Sequence, residues 1–405
     1  MSTQSLSPND GDTSNDEHTG LMTRRTRKIY EQLTSNNIDK MVKRRAVSKA
    51  VTLVESTDDR RRTQATLLLQ QIAQNVLTTS TSTSTSTSIS TSNSSFRVGI
   101  AGPPGAGKSS FIETLGLHIL GSDIEGNPTR LADESRETKK STTPPWYPSS
   151  LSVLSIDPSS TYSGGSILGD KTRMPELSRH PSCFVRPSPS STNLGGINAY
   201  TSDVIQLMTA ASYECCIVET VGVGQSEVEV DKAVDMMVLI VPPGGGDDLQ
   251  GSKKGIVEVA DMLIVNKADG PLLSTAQHTC ADYRGAIRWQ GRGKEEIRGD
   301  WKVPVLLVSA HEKSGVAEMW RRVGEFREKM MRSGGLATKR VEQGRYWTNK
   351  FLKDMIARKL AADETVKERR EKLDRALAEG AITPRMAATQ LIGDFDLEIE
   401  KKKII

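Results

Sequence analysis

The chain has 405 residues, with 54 Lys or Arg against 50 Asp or Glu and a formal net charge of +4. So even a balance argues against a nucleic-acid binder working by bulk attraction, and no apolar run reaches the length that crosses a bilayer. Hydrophobic residues make up 36% and aromatic ones 4%, a deficit to which polar low-complexity segments contribute, and the length suits one large α/β domain with additions or two domains.

Residues 1–20 are polar and carry Asp10, Asp12, Asp16 and Glu17 without a basic residue. They match neither an arginine-rich transit peptide nor a secretory signal with an apolar core. Residues 22–46 turn basic, with Arg24, Arg25, Arg27, Lys28, Lys40, Lys43, Arg44 and Arg45, the pattern of a solvated helix face. The segment 1–40 is expected to be disordered, and 41–77 to form N-terminal helices. Ala46, Ala50, Leu53 and Val54 recur at helical spacing. After a plausible cap at Ser56-Thr57-Asp58-Asp59, a second stripe runs through Ala65, Leu68, Leu69, Ile72 and Val76. Residues 78–95 are a Ser/Thr repeat that cannot build a core and read as a linker.

An apolar run, 96–101, then leads into Gly102-Pro103-Pro104-Gly105-Ala106-Gly107-Lys108-Ser109-Ser110 and on to Phe111-Ile112. Strand, glycine-rich turn and helix carry the phosphate-binding pattern G-x-x-x-x-G-K-[ST]. Glycines let successive N–H groups face phosphate oxygens, and the helix adds its positive dipole end. Lys108 supplies a charge for the β- and γ-phosphates, and Ser109 a hydroxyl for Mg²⁺.

The segment of about 121–150 is irregular and reads as an exposed, largely disordered insertion. Strands are expected at 151–156, 215–219, 236–241, 262–265 and 303–308, mostly short apolar runs covered on both faces. With the strand before the phosphate loop they give an α/β fold, a P-loop NTPase with a mostly parallel sheet flanked by helices, plus N-terminal helices and a C-terminal helical extension. The nucleotide domain is read as 96–333. A helix is expected over about 315–331, then a charged helical tract over about 338–379 with Tyr346, Trp347, Phe351, Leu352, Met355 and Ile356 on one face. A last amphipathic stretch, 387–395, completes an extension over 334–405 that suits self-association. Cys183, Cys215, Cys216 and Cys280 form no C-x-x-C pair and read as buried thiols.

Asn266-Lys267-Ala268-Asp269 follows the strand at 262–265. The carboxylate of Asp269 can accept from guanine N1–H and its exocyclic amine, whereas adenine would leave it unpaired. Ser309-Ala310 after the next strand suits the turn whose N–H meets the guanine oxygen, so GTP is expected over ATP. Asp157 and Glu219 end strands, and Asp170 lies in a glycine-rich loop. With Ser109 these three carboxylates are candidates to surround one hard cation, Mg²⁺, some of them acting on its waters or on the attacking water. Gly222, Gly224 and Gln225 follow Glu219, and Lys253 lies in a third glycine-rich loop, 242–255. Such loops at strand ends can respond to loss of the γ-phosphate.

In these motifs the chain resembles the MeaB/ArgK-type GTPases. The resemblance rests on the phosphate loop, Asp157-Pro158-Ser159-Ser160, the run 164–174, Arg186-Pro187-Ser188-Pro189, the run 219–227, Asp248-Leu249-Gln250-Gly251 and the helix at 50–56. Asp248 stands where the family more often has Glu, and 78–95 and 121–150 have no counterpart in its pattern. The resemblance implies a GTP-hydrolysing chaperone that gates adenosylcobalamin loading of methylmalonyl-CoA mutase and protects or reactivates it. It implies a homodimer built on the C-terminal helices and the cobalamin adenosyltransferase as a further partner, with neither nucleic acid nor membrane. By the same matching Lys108, Ser109, Asp157, Asp170 and Glu219 line the phosphate and Mg²⁺ site, and Lys253 sits in a partner-responsive loop. Animal members are mitochondrial, which implies the matrix; the acidic start keeps a cytoplasmic address open. The competing readings are a metabolite or protein kinase using the same nucleotide site and a nickel-type metallochaperone GTPase. The first would need an acceptor pocket and a base, the second a Cys/His ligand cluster.

Overall fold

Six of the apolar runs become strands, and a seventh strand joins them. The computed structural model describes residues 21–35, 37–81, 95–131, 146–157, 174–189, 200–220, 229–245, 254–290 and 299–403. It divides into two compact units, Met1–Val341 and Glu342–Ile405.

In the first unit the strands are β1 (Phe96–Ala101), β2 (Leu151–Asp157), β3 (Cys183–Pro189), β4 (Cys215–Glu219), β5 (Met236–Val241), β6 (Met262–Val265) and β7 (Val305–Leu307). All pairings are parallel, in the order β3-β2-β4-β1-β5-β6-β7. Every residue of β4, β5 and β6 is buried, as a sheet covered on both faces requires. The last strand is shorter than the expected 303–308. Sequence reading did not identify β3. Its first half, Cys183, Phe184 and Val185, is buried, but Pro187 and Pro189 break the strand pattern. They are tolerated because β3 is an edge strand, where a missing N–H breaks no ladder. All four cysteines are buried and free.

The helices of this unit are α1 (Arg24–Thr34), α2 (Lys40–Val54), α3 (Asp59–Thr81), α4 (Lys108–Leu120), α5 (Pro175–Arg179), α6 (Tyr200–Ala210), α7 (Lys254–Val259), α8 (Leu273–Gln290) and α9 (Val316–Arg332). The helix α1 lies inside the segment expected to be disordered. Thr23 caps it by accepting from the Thr26 N–H, and Thr26, Ile29 and Leu33 form a buried stripe that the surrounding basic residues obscure in the sequence. The helix α3 runs to Thr81, into the Ser/Thr repeat. Part of the basic face is also used. Lys40 donates to Ser182 Oγ at 3.1 Å, Arg44 donates to the Ser178 carbonyl, and Arg186 pairs with Glu55. These contacts dock the N-terminal helices beside β3 and α5.

The irregular segment of about 121–150 is ordered by local hydrogen bonds where it is described: residues 124–128 are exposed, as expected, while Leu131, Trp146 and Tyr147 pack on the core. Asp123 accepts from the Glu125 and Asn127 N–H groups at 2.8 and 2.9 Å. Buried His118 accepts from the Leu131 N–H through Nδ1 at 2.9 Å, and its Nε2 lies 3.3 Å from the Tyr147 hydroxyl. Trp146 stacks on Trp320, whose indole N–H donates to the Trp146 carbonyl at 2.7 Å. Residues 132–145 lie outside the described residues.

At the amino ends of the strands, a buried charge cluster joins β1, β5 and β6 to α10 (Gly335–Ala362). Asp235 receives Arg340 through both carboxylate oxygens, at 2.9 and 2.7 Å, and the Arg97 N–H at 2.9 Å. Lys339 donates to Asp231 Oδ1 and to the Asp235 carbonyl, each at 3.0 Å, and lies 3.9 Å from Asp261. Burial alone would push the Asp235 carboxyl up. The hydrogen bonds and charge of Arg340 and the charge of Arg97 outweigh it and hold the group below the usual carboxylate range.

The second unit holds the rest of α10 with α11 (Glu364–Ala378) and α12 (Pro384–Lys403). Asp363 caps α11 by accepting from the Thr365 and Val366 N–H groups. Trp347 is buried, with Tyr346 and Phe351 against it, while Leu352, Met355 and Ile356 are exposed.

Candidate nucleotide site

The site is built at the carboxyl end of β1, between its neighbours β4 and β5, where ligands of open parallel sheets gather. A Cβ on Gly102 would lie 2.1 Å from the Ile240 carbonyl, so only glycine lets the loop leave β1 this close to β5. Gly107 takes a left-handed conformation, φ 82°, directly before α4. The Lys108 ammonium donates back to the Gly102 and Pro103 carbonyls at 2.8 and 3.2 Å. Those carbonyls hold it against the loop.

Ser109 opens the first turn of α4 and donates to Glu219 Oε1 at 2.7 Å, across to the end of β4. The other carboxylate oxygen, Oε2, accepts from Ser155 of β2 at 2.5 Å. Sequence reading placed Ser109 and Glu219 together and missed Ser155. The one available signal was a hydroxyl residue inside an apolar run, two positions before Asp157. Asp157 closes β2, opposite Pro189 in register. Asp170, Gly222, Gly224, Gln225, Asp248 and Lys253 lie outside the described residues.

Asn266 follows β6 and is buried. Its Nδ2 donates to the Ala106 carbonyl at 2.8 Å, and its Oδ1 accepts from the Ala310 N–H at 3.3 Å. One side chain thus ties the phosphate loop to the loops after β6 and β7. A Cβ on Gly107 would come within 2.7 Å of that Nδ2, so the last loop glycine also makes room for Asn266. Lys267 adopts a left-handed backbone, φ 59°. Asp269 accepts from the Ser309 hydroxyl, and Ser309 Oγ accepts in turn from the Glu312 N–H at 2.9 Å. Thr114 of α4 donates to the Ala310 carbonyl at 3.1 Å, a second tie between the two halves that sequence reading missed. Glu113, one residue earlier, caps α5 by accepting from the Glu176 and Leu177 N–H groups. Burial nevertheless raises its pKa.

The donor set suits Mg²⁺. A serine hydroxyl and a carboxylate share a hydrogen bond beside the phosphate loop, and this cation takes few protein ligands and keeps waters. Among the described residues, no three His, Cys, Asp or Glu side chains converge as a metal cluster. No helix is long and apolar enough to cross a membrane, among the same residues.

A phosphate loop clamped by a buried asparagine to the loops after β6 and β7, on a parallel sheet flanked by helices, defines the class: this is a P-loop GTPase, which hydrolyses GTP to GDP and phosphate. Comparison with known proteins narrows it further. The family described as "Methylmalonyl Co-A mutase-associated GTPase MeaB" matches residues 149–365, and the chain belongs to that family. It is 38% identical over 352 residues to the mouse protein named "Methylmalonic aciduria type A homolog, mitochondrial", covering 87% of this chain and 76% of the relative. It is 35% identical over 348 residues to GTPase ArgK of Escherichia coli K12, covering 86% of this chain and 92% of that one. The crystal structure of an LAO/AO transport system kinase aligns with a TM-score of 0.60 and 27% identity, covering 93% of this chain and 99% of that one.

Proposed function

We propose that this GTPase is a chaperone of methylmalonyl-CoA mutase, gating the loading of adenosylcobalamin and protecting or reactivating the enzyme. The observation that carries the reading is membership of the mutase-associated family, with a match that includes Glu219, the base loop and the start of the C-terminal helices. The cobalamin adenosyltransferase is the donor in this scheme. Two copies associate through the C-terminal helices, where Leu352, Met355 and Ile356 offer exposed apolar surface. The mitochondrial matrix is the proposed compartment, by likeness to the mouse relative.

The chemistry is attack of water on the γ-phosphoryl group. Loop N–H groups and the Lys108 ammonium stabilise the charge that develops on the phosphate oxygens. Asp269 holds guanine, with Ser309 fixing the carboxylate and the Ala310 N–H beside it. Ser109 and Glu219 would hold Mg²⁺, with Asp157 and Asp170 completing its surroundings. Mg²⁺, when bound, neutralises charge on the β- and γ-phosphates. Lys253 supports the triphosphate state from its glycine-rich loop. The test is capture of purified methylmalonyl-CoA mutase on the immobilised chain with GDP or with a non-hydrolysable GTP analogue. Nucleotide-dependent retention is expected; equal absence of mutase in both states would overturn the proposal.

A further inference from the structure

We propose that Ser155 is a positioning residue for the metal half of this site, fixing the Glu219 carboxylate so that Ser109 can present its lone pairs to Mg²⁺. The inference rests on the GTP and Mg²⁺ reading above. Ser155 on β2 stands in direct register with Glu219 on β4, and both are buried. The two oxygens of Glu219 have separate hydroxyl donors, Ser155 at 2.5 Å on Oε2 and Ser109 at 2.7 Å on Oε1.

The division of labour follows from hydroxyl chemistry. A serine hydroxyl has one proton and two lone pairs. When Ser109 gives its proton to Glu219, both of its lone pairs are left for a cation. That arrangement holds only while the carboxylate plane keeps Oε1 facing Ser109. The terminal torsion of a glutamate is broad and roughly two-fold, so it does not fix that plane by itself. The strand ladder fixes the backbone of Glu219, and the Ser155 hydroxyl fixes its plane. Ser152 of the same strand makes the contrast: its hydroxyl is directed to a backbone carbonyl, that of Cys215 at 3.4 Å. The two serines of β2 are therefore spent differently, and only the Ser155 bond ends on the site.

The experiment measures release of a fluorescent GDP analogue from the full chain as Mg²⁺ is titrated, with a chelator-treated reference. In the parent protein Mg²⁺ slows release. In Ser155→Ala the Mg²⁺ concentration for half the effect rises about tenfold, as for other residues that orient a metal ligand. Release in chelator stays within about twofold of the parent, because the loop and base contacts are untouched. Ser155→Thr, which keeps the hydroxyl, returns the half-effect concentration toward the parent's. If Ser155→Ala does not fold, Ser155→Cys keeps the volume with a weaker donor, and the same upward shift is expected. A parental Mg²⁺ half-effect in the folded Ala or Cys variant overturns the role of Ser155 alone. Mg²⁺-independent release from the parent overturns the metal reading and this inference together.

Discussion

Replacing Asn266 tests whether the two halves of the nucleotide site act as one unit. Asn266→Ala removes the bonds to the Ala106 carbonyl, 2.8 Å, and from the Ala310 N–H, 3.3 Å. Each is worth about 1 kcal/mol net, and the buried Ala106 carbonyl left behind costs roughly 1 kcal/mol more where water cannot replace the lost bond. Asn266 is only 1% exposed, so replacement by water is restricted. The expected loss is about 2–3 kcal/mol in stability and, where only the tied loops bind nucleotide, at most roughly 30- to 150-fold in GDP affinity. Asn266→Asp sharpens the test. It keeps the volume and the acceptor for Ala310 but sets an oxygen against the Ala106 carbonyl, so it should lose at least as much as alanine. Equilibrium titration with a fluorescent GDP analogue reads the effect, alongside thermal unfolding with and without nucleotide. An Asn266→Asp variant within about threefold of the parent affinity would refute the strut.

Asp269→Asn should move base preference from guanine toward xanthine nucleotides, measured by competition for the labelled GDP; unchanged GTP affinity would contradict the assignment of Asp269 to the base. Arg340→Ala leaves Asp235 buried without its bidentate partner and should cost about 3–5 kcal/mol by denaturant unfolding. Because the folded Asp235 pKa is depressed, the stability from this pair is present above the unfolded carboxylate pKa and is lost as pH falls through the folded value. The gap between parent and Arg340→Ala should therefore narrow on acidification below about pH 4. Asp203 behaves oppositely. Burial raises its pKa to about 7, so the folded state holds a proton that the unfolded chain releases, and stability falls as pH rises from the unfolded value to about 7. Asp203→Asn should be more stable than the parent at pH 8, by about 1–2 kcal/mol after solvent screening, and nearly equal to it near pH 4.

The parts of the site carried by contiguous residues were legible in the sequence. The phosphate-loop pattern and the Asn-Lys-x-Asp run are each complete within a few positions, and the apolar runs around them predict the parallel sheet. What escaped depends on register or on distant chain positions. Ser155 matters only because β2 pairs with β4 in the register that sets it opposite Glu219. The Asn266 bond to the phosphate loop spans 160 positions. The cluster of Asp231, Asp235, Asp261, Lys339 and Arg340 gathers charges that look solvated when read one at a time. Strand β3 was hidden by the prolines that its edge position allows. Helix α1 was hidden because Ile29 and Leu33 are few among basic neighbours, and their burial comes from packing on α2 and α3.

The proposed chaperone role requires GTP turnover on this chain to be coupled to methylmalonyl-CoA mutase. Phosphate release from GTP by the purified full-length chain, followed as purified mutase is added, tests it most directly. A slow basal rate that rises at least tenfold, saturates with mutase and is lost in Lys108→Ala is expected. A rate from the active parent chain that stays flat across the mutase titration would contradict it.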